Sequence, residues 1–162
     1  MIPSRYKIDD QIDELNRAVG AFERVIMELD RDAFLEKLGG WTPRDIVAHL
    51  IGWNAYVVDG SRQIQRGELP FYDRDPGENY EKVNAVLIEK HGSTDRDTLL
   101  LALESSAKAL AAFLRELDDG DWERDFGVQH GDETLTVRGT VNDLTQDYDH
   151  HRRQIETWAG TA

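Results

Sequence analysis

Cysteine is missing from all 162 residues of the chain, which excludes disulfide bonds and a cysteine nucleophile. Long apolar runs are missing too. None approaches the ~20 residues that span a bilayer, and the N-terminus lacks the basic and then apolar layout of a signal peptide, so we expect a cytoplasmic protein. Basic residues number 19 against 32 acidic ones. The net charge of −13 predicts that neither nucleic acid nor an anionic membrane is a partner.

The chain contains many apolar residues at helical spacing. They recur every three or four positions, which is the pattern of a helix with one buried face. Four long segments show it, at about residues 7–29, 43–66, 94–117 and 140–158. A loop at 68–78 and a short helix at about 79–89 separate the second and third, and no convincing strand is present. The sequence therefore predicts an all-α four-helix bundle that forms one domain over residues 1–162.

Three of the predicted long helices begin with a recognisable N-cap pattern. Thr42 precedes Pro43, which suits the first helical position, and Asp45 stands at the third position, where it completes a capping box. Either Ser93 or Thr94 is predicted to cap the third long helix, and Thr140 the fourth; Thr94 and Thr140 each have an aspartate three residues later.

A histidine on an apolar helix face needs hydrogen-bond partners or a metal. His49 shares one side of its helix with Ile46 and Trp53, and taken alone it is most simply a core histidine bonded to a polar neighbour. Asp147 and His151 are four residues apart, so they share a face of the last helix. Such a pair is more often a surface ion pair. Facing helices of a bundle can also combine these three side chains into a divalent-metal site.

Two segments, residues 40–53 and 147–155, resemble the DinB-like superfamily, and within it the ClbS/DfsB group of four-helix bundle proteins. The resemblance implies an up-down-down-up bundle. It also implies a divalent metal held by one histidine of the second long helix and an H-x-x-x-H pair of the last. By position the ligands are His49 and His151, which would also be the catalytic residues, with Asp147 in place of the first histidine of the pair. Aspartate can ligate Zn, Ni, Mn or Fe, so the site either persists with harder ligands or has lost its metal.

The resemblance further implies a metal-dependent hydrolase, or a transferase that uses a low-molecular-weight thiol, acting on a small electrophilic molecule in stress or toxin protection. The absence of cysteine is consistent with an external nucleophile, either water or a thiol cofactor. Members of this family often pair, so a homodimer is expected. The alternative is a non-catalytic bundle that binds or sequesters a small molecule or a protein partner, with the three polar residues as a buried hydrogen-bond network.

Other polar and aromatic residues near these positions carry weaker expectations. Trp53 is expected to pack in the core, with the lining of an apolar cleft as the alternative. Asn54 is expected to be a surface or capping group, with orientation of a ligand or substrate as the alternative, and Tyr72 to form part of a lid over the site. His130 lies in a turn-rich segment and His150 on an outer helix face, so neither is given a role.

Overall fold

Four long helices pack around one apolar core in the computed structural model, which describes residues 2–160. Two short helices lie between them, one of them between the second and third long helices, as the sequence predicts. The fold is therefore the predicted all-α four-helix bundle. The helices are α1 (Ser4–Glu28), α2 (Arg31–Phe34), α3 (Pro43–Gln65), α4 (Glu81–Lys90), α5 (Arg96–Glu116) and α6 (Val137–Trp158).

Side-chain contacts between helix ends give the direction of each helix. Arg5, near the start of α1, donates to the carbonyl oxygen at the C-terminal cap of α5, so these two helices are antiparallel. Arg44, at the start of α3, donates to the carbonyl of Ser93 just before α5, so α3 and α5 are parallel. Gln11 of α1 bonds Thr145 of α6 at matching depths, so this pair is parallel too. The long helices therefore run up, down, down and up.

The helix starts were predicted correctly in one case of three. The Thr42 hydroxyl accepts the backbone N–H of Asp45 at 3.0 Å, and the Asp45 carboxylate accepts that of Thr42 at 3.1 Å, so the capping box is present. The predictions of Ser93 or Thr94, and of Thr140, as caps were wrong.

Asp95 caps α5 and Thr136 caps α6, each accepting the backbone N–H three residues later at 3.0 Å. The physical reason in α6 is burial: Val137 is fully buried in the core, which draws the chain into the helix one turn earlier than expected. Thr140 consequently lies inside the first turn, where its hydroxyl bonds the Thr136 carbonyl.

Two connections have more order than the sequence suggested. The loop between α3 and α4 contains 3₁₀ turns at Phe71–Asp73 and Glu78–Tyr80. The turn-rich segment before α6 forms a small antiparallel hairpin of β1 (Gln129–His130) and β2 (Glu133–Thr134), where no strand was expected. Gly131 in its turn has a φ of +62°, a conformation that glycine adopts without strain. Both connections cover the same side of the bundle.

Within residues 2–160, none of the helices has the length and apolar content needed to cross a membrane. The homodimer and the cytoplasmic location stay predictions.

Candidate functional site

His49, Asp147 and His151, the three residues singled out from the sequence, lie together between α3 and α6. The Nε2 atom of His49 is 3.4 Å from one oxygen of Asp147, and the Nε2 atom of His151 is 3.4 Å from the other. The two imidazole rings meet edge to face, with centroids 4.9 Å apart. One potential ligand atom from each residue lies within 4.8 Å of the other two. The antiparallel packing of α3 and α6 therefore brings the three predicted residues together.

Hydrogen bonds on the far side of each ring set the protonation of the two histidines. The Nδ1 atom of His49 is 2.6 Å from the carbonyl oxygen of Ile46, which can only accept, so Nδ1 carries the hydrogen. The Nδ1 atom of His151 is 3.0 Å from Oε1 of Gln154 and donates to it in the same way. In the neutral form of either ring the lone pair is therefore on Nε2, which faces the carboxylate of Asp147. When neither Nε2 carries a proton, three acceptors converge here, and a cation placed between them would satisfy all three.

The spacing and chemistry of the cluster suit a divalent metal. Around a tetrahedral zinc with bonds of about 2.0–2.1 Å, neighbouring ligand atoms are about 3.3–3.4 Å apart. The Nε2 atoms of the two histidines lie 3.4 Å from different oxygens of Asp147, and one ligand atom of each residue lies within 4.8 Å of the other two. A ligating histidine commonly donates its other N–H to a carbonyl or carboxylate, as both rings do here. The three side chains therefore fit a divalent metal in composition, and they are close enough together to share one ion.

The surroundings of the cluster favour a neutral His151 and an ionised Asp147. His49 is 2% exposed and His151 8%, whereas the Asp147 side chain is 39% exposed. Burial lowers the pKa of His151 despite the opposing effect of Asp147, so the ring is neutral at neutral pH. Burial on its own raises the pKa of Asp147, but the contact with His49 and the charge that the nearby histidines carry when protonated bring it below its ordinary value. The carboxylate is therefore ionised.

Trp41 forms one wall of the cluster. Its ring centroid is 4.8 Å from that of His49 and 6.4 Å from that of His151. A tight turn holds it there, because Gly39 adopts a φ of +73° and the Leu38 amide donates to the Trp41 carbonyl. The glycine pair before the tryptophan thus places an aromatic ring against both histidines.

The open side of the cluster faces a cavity of about 700 Å³. α3 and α6 form its floor, and the segment around residues 72–84 and the hairpin enclose it. This volume is in the range of small-molecule sites. The cavity combines aromatic rings with carboxylates, contributed by Trp41, Trp53, Tyr72, Tyr80, Asp73, Glu133, Asp143 and Asp147.

An aromatic wall continues from α3 into the loop. Trp53 is half-buried: it packs against the core, as expected, and it also lines the cavity. Its indole N–H donates to Asn84 at 2.7 Å. Tyr72 and Tyr80 contact the Trp53 ring edge to face, with centroids 4.9 and 5.7 Å away. Tyr72 is 6% exposed and packs directly on Gly60, so it is a fixed part of the wall.

The cavity end beyond the aromatic wall is acidic, and sequence reasoning did not find it. Asp73 is buried, and it accepts the Tyr80 hydroxyl at 2.5 Å and has Nδ1 of His130 at 3.9 Å. Tyr80 has a left-handed backbone with a φ of +61°, which is uncommon for an aromatic residue. Only Asp143 had a usable sequence signal, because it precedes Asp147 by four residues and so shares its helix face. His130 and His150, which were given no role, both line this cavity.

Asn54 differs from its prediction as a surface or capping group. It is fully buried, accepts the Tyr148 hydroxyl at 2.8 Å and donates to Ser106 at 2.9 Å. These bonds join α3, α5 and α6 directly beneath the site.

Comparison with known proteins assigns the family. A family model described as the DinB superfamily matches residues 14–155. The chain belongs to the DinB superfamily. The resemblance seen in its two segments is thereby confirmed. No curated protein matches the chain.

Solved structures with the same fold include two proteins whose biochemistry is named. The mycothiol-dependent maleylpyruvate isomerase matches with a TM-score of 0.72 and 18% identity over 96% of this chain, which spans 63% of the isomerase. The colibactin self-resistance protein ClbS, in complex with dsDNA, matches with a TM-score of 0.73, 14% identity and 93% of each chain. A protein from Streptococcus pneumoniae matches with a TM-score of 0.72, 12% identity, and 100% and 93% of the two chains. At these identities the likeness shows the fold alone.

The ClbS complex overturns one prediction. We expected the net charge of −13 to exclude nucleic acid as a partner, yet a protein of this same fold is crystallised with dsDNA, so that prediction was wrong. The physical reason is that net charge sums over a whole surface, whereas a phosphate responds mainly to charges within a Debye length of about 8–10 Å. Net charge is therefore no ground for excluding nucleic acid here.

Proposed function

We propose that this DinB-superfamily chain is an enzyme in which His49, Asp147 and His151 hold a divalent cation at the floor of the cavity. There a water or a low-molecular-weight thiol attacks an electrophilic small molecule. The observation that carries this proposal is the convergence of two Nε2 lone pairs and a carboxylate on one point that opens into a cavity of about 700 Å³. Zn, Ni, Mn and Fe are the candidate ions.

Each of the surrounding side chains has a defined part in this proposal. When bound, the cation supplies Lewis-acid chemistry, since it lowers the pKa of a water or thiol that it binds. His49 and His151 present Nε2 because Ile46 and Gln154 hold their Nδ1–H groups. Trp41 shields the imidazoles from solvent on one side. Three protein ligands leave coordination positions free, as catalytic sites require.

The identity of the nucleophile, water or a thiol, also belongs to this proposal. The absence of cysteine leaves the nucleophile to come from outside the chain. The fold shared with a mycothiol-dependent isomerase supports a thiol, and the cavity is large enough for a thiol and a substrate side by side. Assay of epoxide and activated-alkene probes with and without an added thiol separates the two nucleophiles.

Metal content of protein purified without a histidine tag tests the proposal. We expect close to one divalent ion per chain, and a lower unfolding temperature after treatment with a chelator because the ion binds only the folded state. Asp147→Asn and His151→Ala should lose the ion. His150→Ala is the matched control, because His150 is the adjacent residue on α6 and lies outside the cluster.

Two results would contradict the metal-dependent enzyme. One is a protein that holds far less than one ion, gains none from added Zn²⁺, Ni²⁺, Mn²⁺ or Fe²⁺, and unfolds at the same temperature in chelator. The other is equal retention of metal by Asp147→Asn and wild type. The first result leaves a metal-free network of the kind expected for a non-catalytic binding protein.

A further inference from the structure

The cavity carries an unusual balance of charge. Four carboxylates line it, and none of the lining residues that the structure describes is a lysine or arginine. A bound divalent cation would offset only two of those four negative charges. Such a cavity repels a dicarboxylate or a phosphorylated ligand and attracts a cation.

The excess negative charge is concentrated at the end away from His49 and His151. Asp143 lies four residues before Asp147 on α6, or about 6 Å along the helix axis. Partial burial and the nearby charge of Glu133 raise the pKa of the Asp143 carboxyl above its ordinary value. Burial, the hydrogen bond to Asp73 and the charges of Asp73, Glu133 and Asp143 raise the pKa of Tyr80. Within residues 2–160, no lysine or arginine lines the cavity to offset these effects.

Asp73 is the centre of this end. Its side chain is only 5% exposed, and a buried carboxylate is costly unless it is paired. Its ion-pair partner within residues 2–160 is His130, which is a cation only when protonated. One oxygen accepts the Tyr80 hydroxyl, and His130 is 3.9 Å away from the same oxygen. The second oxygen, Oδ2, accepts no hydrogen bond from any residue between 2 and 160. The side chain lines the cavity, so a ligand can supply the missing donor.

The surroundings of Asp73 suit an organic cation better than a second metal ion. Within residues 2–160, His49, Asp147 and His151 are the only group of three or more such ligands that converge closely enough to hold a metal. Asp73 is accompanied instead by aromatic rings, since Tyr80 bonds it and Trp53 packs against Tyr80. Aromatic rings attract a protonated amine that lies within about 6 Å of the ring centroid.

We infer that the cavity takes a substrate carrying a protonated amine, which donates to Asp73 beside Tyr80 and Trp53 while its reactive end faces His49 and His151. This deepens the proposed function, on which it rests, by naming the class of substrate.

Binding of three matched probes to chelator-treated protein tests the inference without any metal. The probes are 4-phenylbutylamine, 4-phenylbutanol and 4-phenylbutyrate, which differ only in whether the end group is cationic, neutral or anionic. Isothermal titration calorimetry should show the amine binding at least tenfold more tightly than the alcohol, and the carboxylate most weakly, since a charge-assisted hydrogen bond is formed by the amine alone.

Substitution of single carboxylates tests where the amine group of the probe binds. Asp73→Asn should weaken binding of the amine about tenfold or more and leave the alcohol unchanged. Asp75→Asn is the matched control, because Asp75 is in the same loop but is exposed and paired with Lys82, and it should change nothing. Should Asp73→Asn fold poorly, Glu133→Gln on the exposed hairpin should weaken the amine a few-fold.

The inference is overturned if the carboxylate binds as tightly as the amine in wild type, or if Asp73→Asn and Asp75→Asn bind the amine equally. Failure here is distinct from failure of the proposed function. A protein that holds its metal but shows no preference for the amine loses only this inference. A protein that prefers the amine but holds no metal loses only the metal-dependent chemistry.

Discussion

Gly60→Ala tests whether the wall of the cavity is held by close contact between α3 and Tyr72. A Cβ atom at position 60 would lie 2.5 Å from both Cε2 and the hydroxyl oxygen of Tyr72, so the ring has to move by about 1 Å to restore ordinary contact. The ring is 6% exposed and packed against Trp53, which leaves it little freedom to move. Overpacking of this kind costs about 1–3 kcal/mol, and alanine recovers about 1 kcal/mol of helix propensity.

The net expectation for Gly60→Ala is therefore a loss of about 0–2 kcal/mol of stability. Gly20→Ala is the matched control, because Gly20 lies inside α1 and an added Cβ there meets nothing within 4 Å. That variant should gain about 1 kcal/mol. For a chain of this length 1 kcal/mol corresponds to roughly 2–4 °C, so the two unfolding temperatures, measured by circular dichroism, should differ by about 2–12 °C. Equal gains in both variants would refute the close packing of Tyr72 on α3.

Two further predictions concern buried and capping polar groups. Tyr148→Phe removes the hydroxyl that donates to the fully buried Asn54, so urea denaturation should show a loss of about 1–3 kcal/mol in the free energy of unfolding. The control Tyr6→Phe, at an exposed position, should leave the stability unchanged. Equal effects of the two substitutions would contradict the role of the Tyr148–Asn54 bond. The hydrogen bonds from Thr98 lower the pKa of Asp95. The stability that Asp95 contributes as a helix cap is therefore fully present above its pKa in the unfolded chain, about 3.9. It is lost as the pH falls through the lower pKa that Asp95 has in the folded chain. Urea midpoints of wild type and Asp95→Asn should therefore converge in acid, and a difference independent of pH would contradict this.

The parts of the fold that were predictable depend on residues close together in sequence. The capping box of Thr42 and Asp45 spans three residues, so its pattern is visible without any tertiary information. Asp147 and His151 share a face for the same local reason. That His49 meets them needed the family resemblance, because spacing within one helix does not say which other helix faces it.

The parts that were missed depend on contacts between distant segments. Asn54 has no local signal for burial, since its partners Tyr148 and Ser106 are 94 and 52 residues away. Asp73 becomes a buried carboxylate only because Tyr80 bonds it and the hairpin carrying His130 covers the same cavity. Their sequence context is that of an ordinary charged loop, so only the folded chain shows them together.

Anomalous diffraction from a crystal grown with Zn²⁺ tests the central claim most directly. We predict one strong peak between α3 and α6, about 2.0–2.2 Å from Nε2 of His49, from Nε2 of His151 and from an oxygen of Asp147. The peak should be missing in an isomorphous crystal of His151→Ala. A zinc peak that lies elsewhere, or none at these three side chains in a well-ordered crystal, would contradict the claim that they form a metal centre.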